Sequence, residues 1–401
     1  MREIRIGIIG VGNIGSMHAA NIYENRITGM RLTAVCDSRE DRLDACRRQF
    51  PGISCYADYS EMIKSREVDA VLISVPHRLH GQIAIEALQV GLHVLVEKPV
   101  DVTVTMAKEL IRTAKESDRV FAIMFNQRTN LLFQKAHDIV RGGLLGELKR
   151  SVWIVTNWYR SQHYYDSGDW RATWSGEGGG VLLNQAPHNL DLWQWICGMP
   201  VSVTAFCNVA KYHHIEVEDE ATIYAKYENG ATGLFVTSTG EYPGTNRFEI
   251  SGDKGKLVLE NATLKWWKLA ESEKEVRYSS QSCFPEIAYE YQEFKAEEKE
   301  AGHIGILQNF TNAILHGEKL LSPGAEGICE LMISNAAYLS EWSGNKEIPL
   351  PFDDGQFDRM LAERCKGLIK ESSSLTEEKC APLNGIREST KTNAKRWQVR
   401  W

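Results

Sequence analysis

The stretch GIIGVGNIGSMH, residues 7–18, overlaps the apolar run that begins at Ile4 and opens a segment of helical character. Gly10, Gly12 and Gly15 stand in it as G-x-G-x-x-G. In a strand-turn-helix setting each glycine has its own physical role: a tight turn, close approach of the backbone to a pyrophosphate, and close packing of helix on strand. The helix N-terminus adds positive potential at the same point. The stretch therefore predicts the first turn of a dinucleotide-binding βαβ unit, with Gly10, Gly12, Asn13, Ile14 and Gly15 around the phosphates. Asp37 closes the next β-branched run, 22 residues after Gly15, where a carboxylate bonds both ribose hydroxyls. Its charge favours NAD, because it repels the extra phosphate of NADP. Ser38 follows, and Arg39 offers a guanidinium able to bind that phosphate, so NADP stays open.

Outward from this turn, IRIGIIG, RLTAVCD, VDAVLISVP, LHVLVE and VFAIMFN alternate with amphipathic stretches up to about residue 125. Nearly continuous apolar strands mark a parallel sheet covered on both faces. Residues 1–125 thus read as a doubly wound α/β domain of Rossmann type. After about residue 150 the rhythm changes, and RSVWIVTNW, VSVTAFCNV, ATIYAKY, ATGLFVTST, RFEISG and GKLVLE follow with turn pairs such as Asn229-Gly230 and Asp253-Lys254. Such spacing predicts an α+β domain over 126–355 with a large, open, mostly antiparallel sheet. Helical periodicity returns at 303–317 and 324–343, where the helices are placed to pack back on the first domain. Residues 356–401 read as a polar C-terminal extension, weakly ordered or adherent to another subunit from about 370.

Composition narrows the partners. A chain of 401 residues with 43% hydrophobic and 25% charged residues buries a substantial core, and its length suits two domains. The net charge of −7 gives no basic field to collect nucleic acid or anionic lipid. Nine cysteines are scattered without C-x-x-C pairing, so no metal site is expected and reduced thiols are. The opening MREIRIGIIG lacks the apolar core of a signal peptide, and no apolar run reaches the about 20 residues of a membrane helix. The expectation is a cytoplasmic protein acting on small molecules.

The run LHVLVEKPV, residues 92–100, takes a buried strand straight into Glu97, Lys98 and Pro99. Ligands of open parallel sheets sit beyond the carboxyl ends of the strands, which places Lys98 beside the cofactor. A lysine there hydrogen-bonds a substrate hydroxyl and, when desolvated, has a lowered pKa. Pro99 is a candidate for a cis bond that fixes the lysine's direction. Further on, GGGVLLNQAPHNLD, residues 178–191, carries Asn184, His188 and Asp191 at spacings of 4 and 3, one face of a helix, with Pro187 interrupting it or marking its first turn.

These residues together resemble the Gfo/Idh/MocA family of NAD(P)-dependent oxidoreductases. The resemblance rests on GVGNIGSMH at 10–18, VCD at 35–37, SVPHRLH at 74–80, EKP at 97–99 and GGG with N-x-x-x-H-x-x-D at 178–191, and it extends to about residue 352. It implies a Rossmann domain and a second α/β domain whose open sheet makes a homo-oligomer, dimer or tetramer, with the active site between the domains. It also implies hydride exchange with a carbinol carbon of a sugar, glycoside or cyclitol, with Lys98 and His188 as catalytic residues. Where many members carry aspartate, this chain has Asn184, an amide that cannot share a proton and that orients the substrate or the imidazole instead. Members often have asparagine where His77 stands, a departure that alters cofactor contacts.

Other candidates follow from position. Ser74, Pro76, His77, His80, Glu97 and Asn126 are set on the cofactor side, and Arg128 reaches cofactor or substrate. In the aromatic and ionic stretch 157–174, Tyr159, Arg160, Trp170 and Arg171 are suited to stack on and bond a sugar. Two rival functions remain open. One is an NAD-dependent glycosidase working by transient oxidation. The other is a catalytically silent, cofactor-sensing regulator, which would need neither Lys98 nor His188.

Overall fold

A computed structural model describes residues 3–296 and 301–366. Six parallel strands form the first sheet: β1 (Ile4–Ile9), β2 (Met30–Cys36), β3 (Ser54–Tyr56), β4 (Ala70–Ile73), β5 (His93–Val96) and β6 (Phe121–Ile123). Their order is β3-β2-β1-β4-β5-β6, so the chain reverses direction across the sheet between β1 and β4. A crevice opens at such a switch point, and the glycine turn lies in it. Gly10 has φ +88°, and a Cβ on Gly15 would lie 1.9 Å from the Gly10 carbonyl oxygen. Only glycine lets the helix Asn13–Tyr23 approach β1 this closely.

Nine strands make the second sheet: β7 (Leu148–Val155), β8 (Ser202–Val209), β9 (Glu218–Lys226), β10 (Thr232–Ser238), β11 (Asn246–Gly252), β12 (Gly255–Glu260), β13 (Thr263–Leu269), β14 (Tyr289–Lys295) and β15 (Ile348–Pro349). The order is β14-β13-β12-β11-β7-β10-β9-β8-β15, antiparallel throughout except where β7 pairs with β10. Register lines up Ala205, Ile223, Phe235, Trp153, Phe248 and Leu259 on one face, all at most 2% exposed. The helix Pro187–Cys197 covers that face, with Trp193 stacked on Phe235 at 5.5 Å. The opposite face leaves Phe206 and Tyr224 exposed.

Two later helices tie the halves together. Gly302–His316 places Ile306, Leu307 and Phe310 in the apolar cluster of β1 and β2. Asn335, on Gly327–Trp342, donates to the Val102 carbonyl at 3.2 Å and accepts from Val104 N–H at 3.2 Å. The segment after Pro99 is thereby fixed to the second half of the chain.

The reading of 356–401 as a polar extension needs correction at its start. Residues Asp354–Cys365 form a helix capped by the Asp353 carboxylate, which buries Phe357 and Leu361 against Gly327–Trp342 and Val104–Glu116. Its fully buried residues are one i, i+4 pair, with Met360 and Cys365 partly buried beside them, which is enough to dock it and too little to stand out in a polar sequence. The tail from about 370 lies outside the described residues. Among the described residues all eight cysteines are free, and no helix is long and apolar enough to cross a membrane.

Candidate active site

At the ribose end, Asp37 is 6% exposed and held from three sides. Its Oδ2 accepts from Val11 N–H at 3.0 Å and from Arg42 Nη1 at 3.1 Å, and its Oδ1 accepts from Arg39 N–H at 3.0 Å. Ser38 and Arg39 are exposed, and the Arg39 guanidinium is engaged by Asp41 at 2.6 Å. The cation beside Asp37 is therefore Arg42, one turn into the helix Glu40–Gln49, which the sequence reading passed over. Asn13 is exposed, Ile14 is half-buried, and a Cβ added to Gly12 would meet nothing nearer than Arg42 at 3.8 Å. Ser74 Oγ donates to the Gly10 carbonyl at 2.7 Å, and Pro76 is exposed on the rim.

Between this turn and Lys98 stand buried histidines. His80 contacts the Pro99 and Val75 carbonyls at 2.7 and 2.8 Å, and His77 Nδ1 donates to the Glu177 carbonyl at 3.1 Å, with Trp170 edge-on at 5.8 Å. Both are lowered from the ordinary range, first by burial. Glu97 Oε1 is 2.8 Å from His18 Nε2, and His303, from Gly302–His316, stands edge-on to His18 at 5.4 Å. Burial alone would raise Glu97, but the His18 hydrogen bond holds its carboxyl at about 2. Asn126 begins a short turn after β6, and its Oδ1 is buried without a protein partner.

Lys98 follows β5, and the Lys98-Pro99 peptide is cis. Its Nζ donates to the Asn184 carbonyl at 2.7 Å. Burial lowers the ammonium's pKa, with Glu97 and Glu177 opposing. His188 is 8% exposed, and its Nδ1 is shut away with no partner, leaving Nε2 as the nitrogen that faces the cleft. Burial first, and Lys98 second, push the imidazole well below its usual value, so it is neutral at pH 7.

The expectation that Asn184, His188 and Asp191 share one helical face is corrected. Pro187 is the first helical residue, and Asn184 lies before it in a turn closed by Asn184 N–H to the Gly180 carbonyl at 2.9 Å. Asp191 points inward to Arg128. The turn is pinned by Glu218, whose Oε2 accepts from Gly180 N–H at 2.9 Å while Oε1 accepts from Leu182 N–H at 2.9 Å and Tyr338 OH at 2.8 Å. A Cβ on Gly180 would sit 1.9 Å from the Glu218 carbonyl, so glycine is what lets β9 seat this turn. Glu177 was also missed, although it adjoins the glycines: Asn184 Nδ2 donates to its Oε1.

Around the aromatic loop, Arg171 Cζ lies 4.7 Å from both the Tyr164 and Trp170 rings, and its Nη1 donates to Tyr164 OH at 2.9 Å. Arg160 donates to the Trp158 and Tyr159 carbonyls at 3.1 and 2.9 Å, and Tyr159 leans edge-on against Tyr242 on the rim. Neither contacts the Lys98–Asn184–Glu177 group in a hydrogen bond, whereas Arg171 comes within 3.9 Å of Glu177.

Arg128, expected at cofactor or substrate, is instead an internal strut. It is 0% exposed, grips both Asp191 oxygens at 2.8 and 2.6 Å, and reaches Glu326 with Nη1. Arg128→Met leaves the Asp191 carboxylate buried and unpaired, which is expected to cost about 3–5 kcal/mol of stability. Denaturant unfolding checks this, and an unchanged midpoint would show that the pair carries no load.

A parallel sheet with a glycine turn at its switch point, and a lysine at the tip of β5 gripping the turn that leads into a neutral histidine, is the arrangement of a nicotinamide-dependent oxidoreductase. The chain belongs to the Gfo/Idh/MocA oxidoreductases. Residues 4–125 match the family's NAD-binding Rossmann fold and residues 133–258 its C-terminal domain. It is 28% identical to a myo-inositol 2-dehydrogenase of Thermotoga maritima over 64% of this chain and 75% of that one. It is 31% identical to a D-glucoside 3-dehydrogenase of Escherichia coli over 49% of this chain and 55% of that one. Among solved structures, the WlbA dehydrogenase of Bordetella pertussis, in complex with NADH and UDP-GlcNAcA, superimposes with a TM-score of 0.75. That match has 27% identity over 88% of this chain and 100% of the other.

Proposed function

We propose that the protein is an NAD-dependent dehydrogenase of a secondary alcohol on a sugar, glycoside or cyclitol. What carries the reading is the convergence of Lys98, at the tip of β5, and His188, four residues past the carbonyl that Lys98 grips. The relatives with inositol and glucoside names support the substrate class. NAD suits the residues present: Gly12 leaves open space, the first turn of Asn13–Tyr23 holds no acidic side chain, and Asn126 Oδ1 is a buried acceptor without a protein partner. Ser74, His77, His80 and Glu97 complete that wall.

NAD, when bound, supplies the nicotinamide carbon that takes the hydride. The protein's part is proton handling. His188, neutral at pH 7, takes the substrate hydroxyl proton on Nε2 as general base. Lys98 has three N–H donors and spends one on Asn184, so two remain to bond the same oxygen as negative charge grows on it. Asn184, Trp170 and Arg171 bound the substrate. Tyr159 and Arg160 line its entrance.

The test is a panel of sugars, glycosides and cyclitols scored by NADH absorbance in both directions. Stoichiometric NADH with one of them supports the reading; aglycone release without net NADH favours the glycosidase, and NAD binding without any turnover favours the regulator. For the cofactor, Asp37 is expected to give NAD at least about a tenfold advantage in kcat/KM, roughly 1.4 kcal/mol. Asp37→Ala frees Arg42 for a 2′-phosphate and should narrow that ratio. A wild-type preference for NADP would overturn the assignment. The same reading makes the exposed sheet face bearing Phe206 and Tyr224 a homo-oligomer contact, checked by light scattering.

A further inference from the structure

Glu177 is 2% exposed and sits where three parts of the site meet. Its Oε2 accepts from Ala172 N–H at 2.7 Å, its Oε1 accepts from Asn184 Nδ2 with Arg171 Nη1 3.9 Å away, and its carbonyl accepts from His77 at 3.1 Å. Asn184 in turn carries the Lys98 ammonium on its own carbonyl at 2.7 Å. One residue thus bears a cation on its backbone and a carboxylate on its side chain.

Two consequences follow from donor and acceptor chemistry. Burial raises the Glu177 carboxyl above its usual range, opposed by Arg171 and by the Ala172 and Asn184 N–H donors; both oxygens are turned to N–H groups and act as acceptors. The NH2 end of the Asn184 amide therefore turns inward, and Oδ1 is left toward Tyr164 OH at 3.4 Å. A substrate hydroxyl meeting Asn184 meets an acceptor. In addition, Ala172 has φ +53°, a left-handed conformation unfavourable to alanine, and its N–H is held by Glu177. This bond holds the loop carrying Trp170 and Arg171 together with Glu216 N–H to the Ala172 carbonyl at 3.1 Å and Glu177 N–H to the Thr173 carbonyl at 3.0 Å.

The other charges around Lys98 leave Glu177 with a distinct role. Glu97, held by His18 at 2.8 Å with its carboxyl at about 2, is the first counter-charge to Lys98 and Glu177 the second. Glu330, from Gly327–Trp342, is 0% exposed with neither oxygen partnered, and burial raises it well above the usual carboxylate range. Arg171 is a second cation, and His77, His80, His188 and His303 are lowered by burial and bring no negative charge.

We infer that Glu177 is a positioning residue: acting through Asn184, it fixes the amide's acceptor end toward substrate and, beside Glu97, adds a second counter-charge to the Lys98 ammonium. The inference rests on the dehydrogenase reading above for its kinetic arm only. The decisive measurement is the pH dependence of Lys98 acetylation by acetic anhydride, followed by peptide mass spectrometry, which needs no substrate. NADH fluorescence serves as the check of folding.

In Glu177→Gln the Lys98 midpoint is expected to fall by about one pH unit, and kcat/KM at pH 7 by about thirty-fold, mostly in kcat. The exchanged pair Glu177→Gln with Asn184→Asp returns a carboxylate to the contact and should bring the midpoint back. A Glu177→Gln midpoint equal to wild type, or an exchanged pair no better than the single variant, would overturn the inference. A wild-type protein inert toward every alcohol sinks the dehydrogenase reading alone and leaves the acetylation midpoints to decide this one.

Discussion

Lys98→Met is expected to lower kcat/KM by about 10²–10³-fold while NADH affinity stays within a few-fold of wild type. The asymmetry follows from where the ammonium is spent. One N–H goes to the Asn184 carbonyl at 2.7 Å, and in the proposed reaction the others serve an oxygen that becomes more negative only as hydride leaves. An interaction that strengthens toward the transition state lowers the barrier without adding much to ground-state binding. Methionine keeps the length and apolar bulk of the side chain, so packing beneath the cleft is disturbed little. Arginine should not rescue: its flat fork cannot take the place of a compact ammonium between Asn184 and a substrate oxygen. The measurement is steady-state kinetics beside a fluorescence titration with NADH. Activity within tenfold of wild type would remove Lys98 from the chemistry.

Lys98 was legible because a buried strand ends on it, and strand ends in a parallel sheet face the ligand. The glycine turn was legible for the same local reason. Both depend on a dozen neighbouring residues and on nothing far away. Glu177 and His303 are different. Glu177 matters through Lys98, 79 positions earlier, and through an amide seven positions later, while His303 arrives beside His18 only because a late helix packs back on the first sheet. No periodicity encodes such meetings. Arg42 lay between these extremes, since its five-residue spacing from Asp37 on a helix start was readable. Arg39 drew attention by being nearer in sequence, but its side chain turns to Asp41.

The second sheet divides the same way. Strands β7 to β11 alternate over most of their length because one face is buried, whereas β14, YEYQEFK, is exposed or half-buried along its whole length and joins by backbone pairing to β13 alone. An edge strand without a buried face leaves no hydrophobic pattern to read. Asp191 shows the limit of the shared-face expectation. Its spacing from His188 is helical as expected, yet three residues turn it away from the cleft and onto Arg128, which a count of positions cannot distinguish from a substrate contact.

His188→Ala is expected to reduce kcat by about 10²–10⁴-fold at pH 7, with the loss shrinking at high pH as hydroxide takes over the base's task. The wild-type pH profile carries the sharper consequence. The imidazole must be neutral to accept the proton, and burial with the nearby Lys98 charge holds it well below 6.5. Activity should therefore be flat from pH 7 down past the ordinary histidine value of about 6.5, and fall only in more acid solution. Removing the Lys98 charge takes away the second of the three forces that depress the imidazole, after burial and before His303, so the acid limb of the residual activity in Lys98→Met should move upward. Stability follows the same sign. The unfolded chain binds a proton at His188 near pH 6.5 and the folded chain does not, so this group's contribution is complete above that pH and is lost as pH falls below it. His188→Ala should accordingly lose less stability than wild type between pH 7 and pH 5. A wild-type acid limb centred at or above 6.5 would mean that the imidazole is solvated and that the proton leaves by another route.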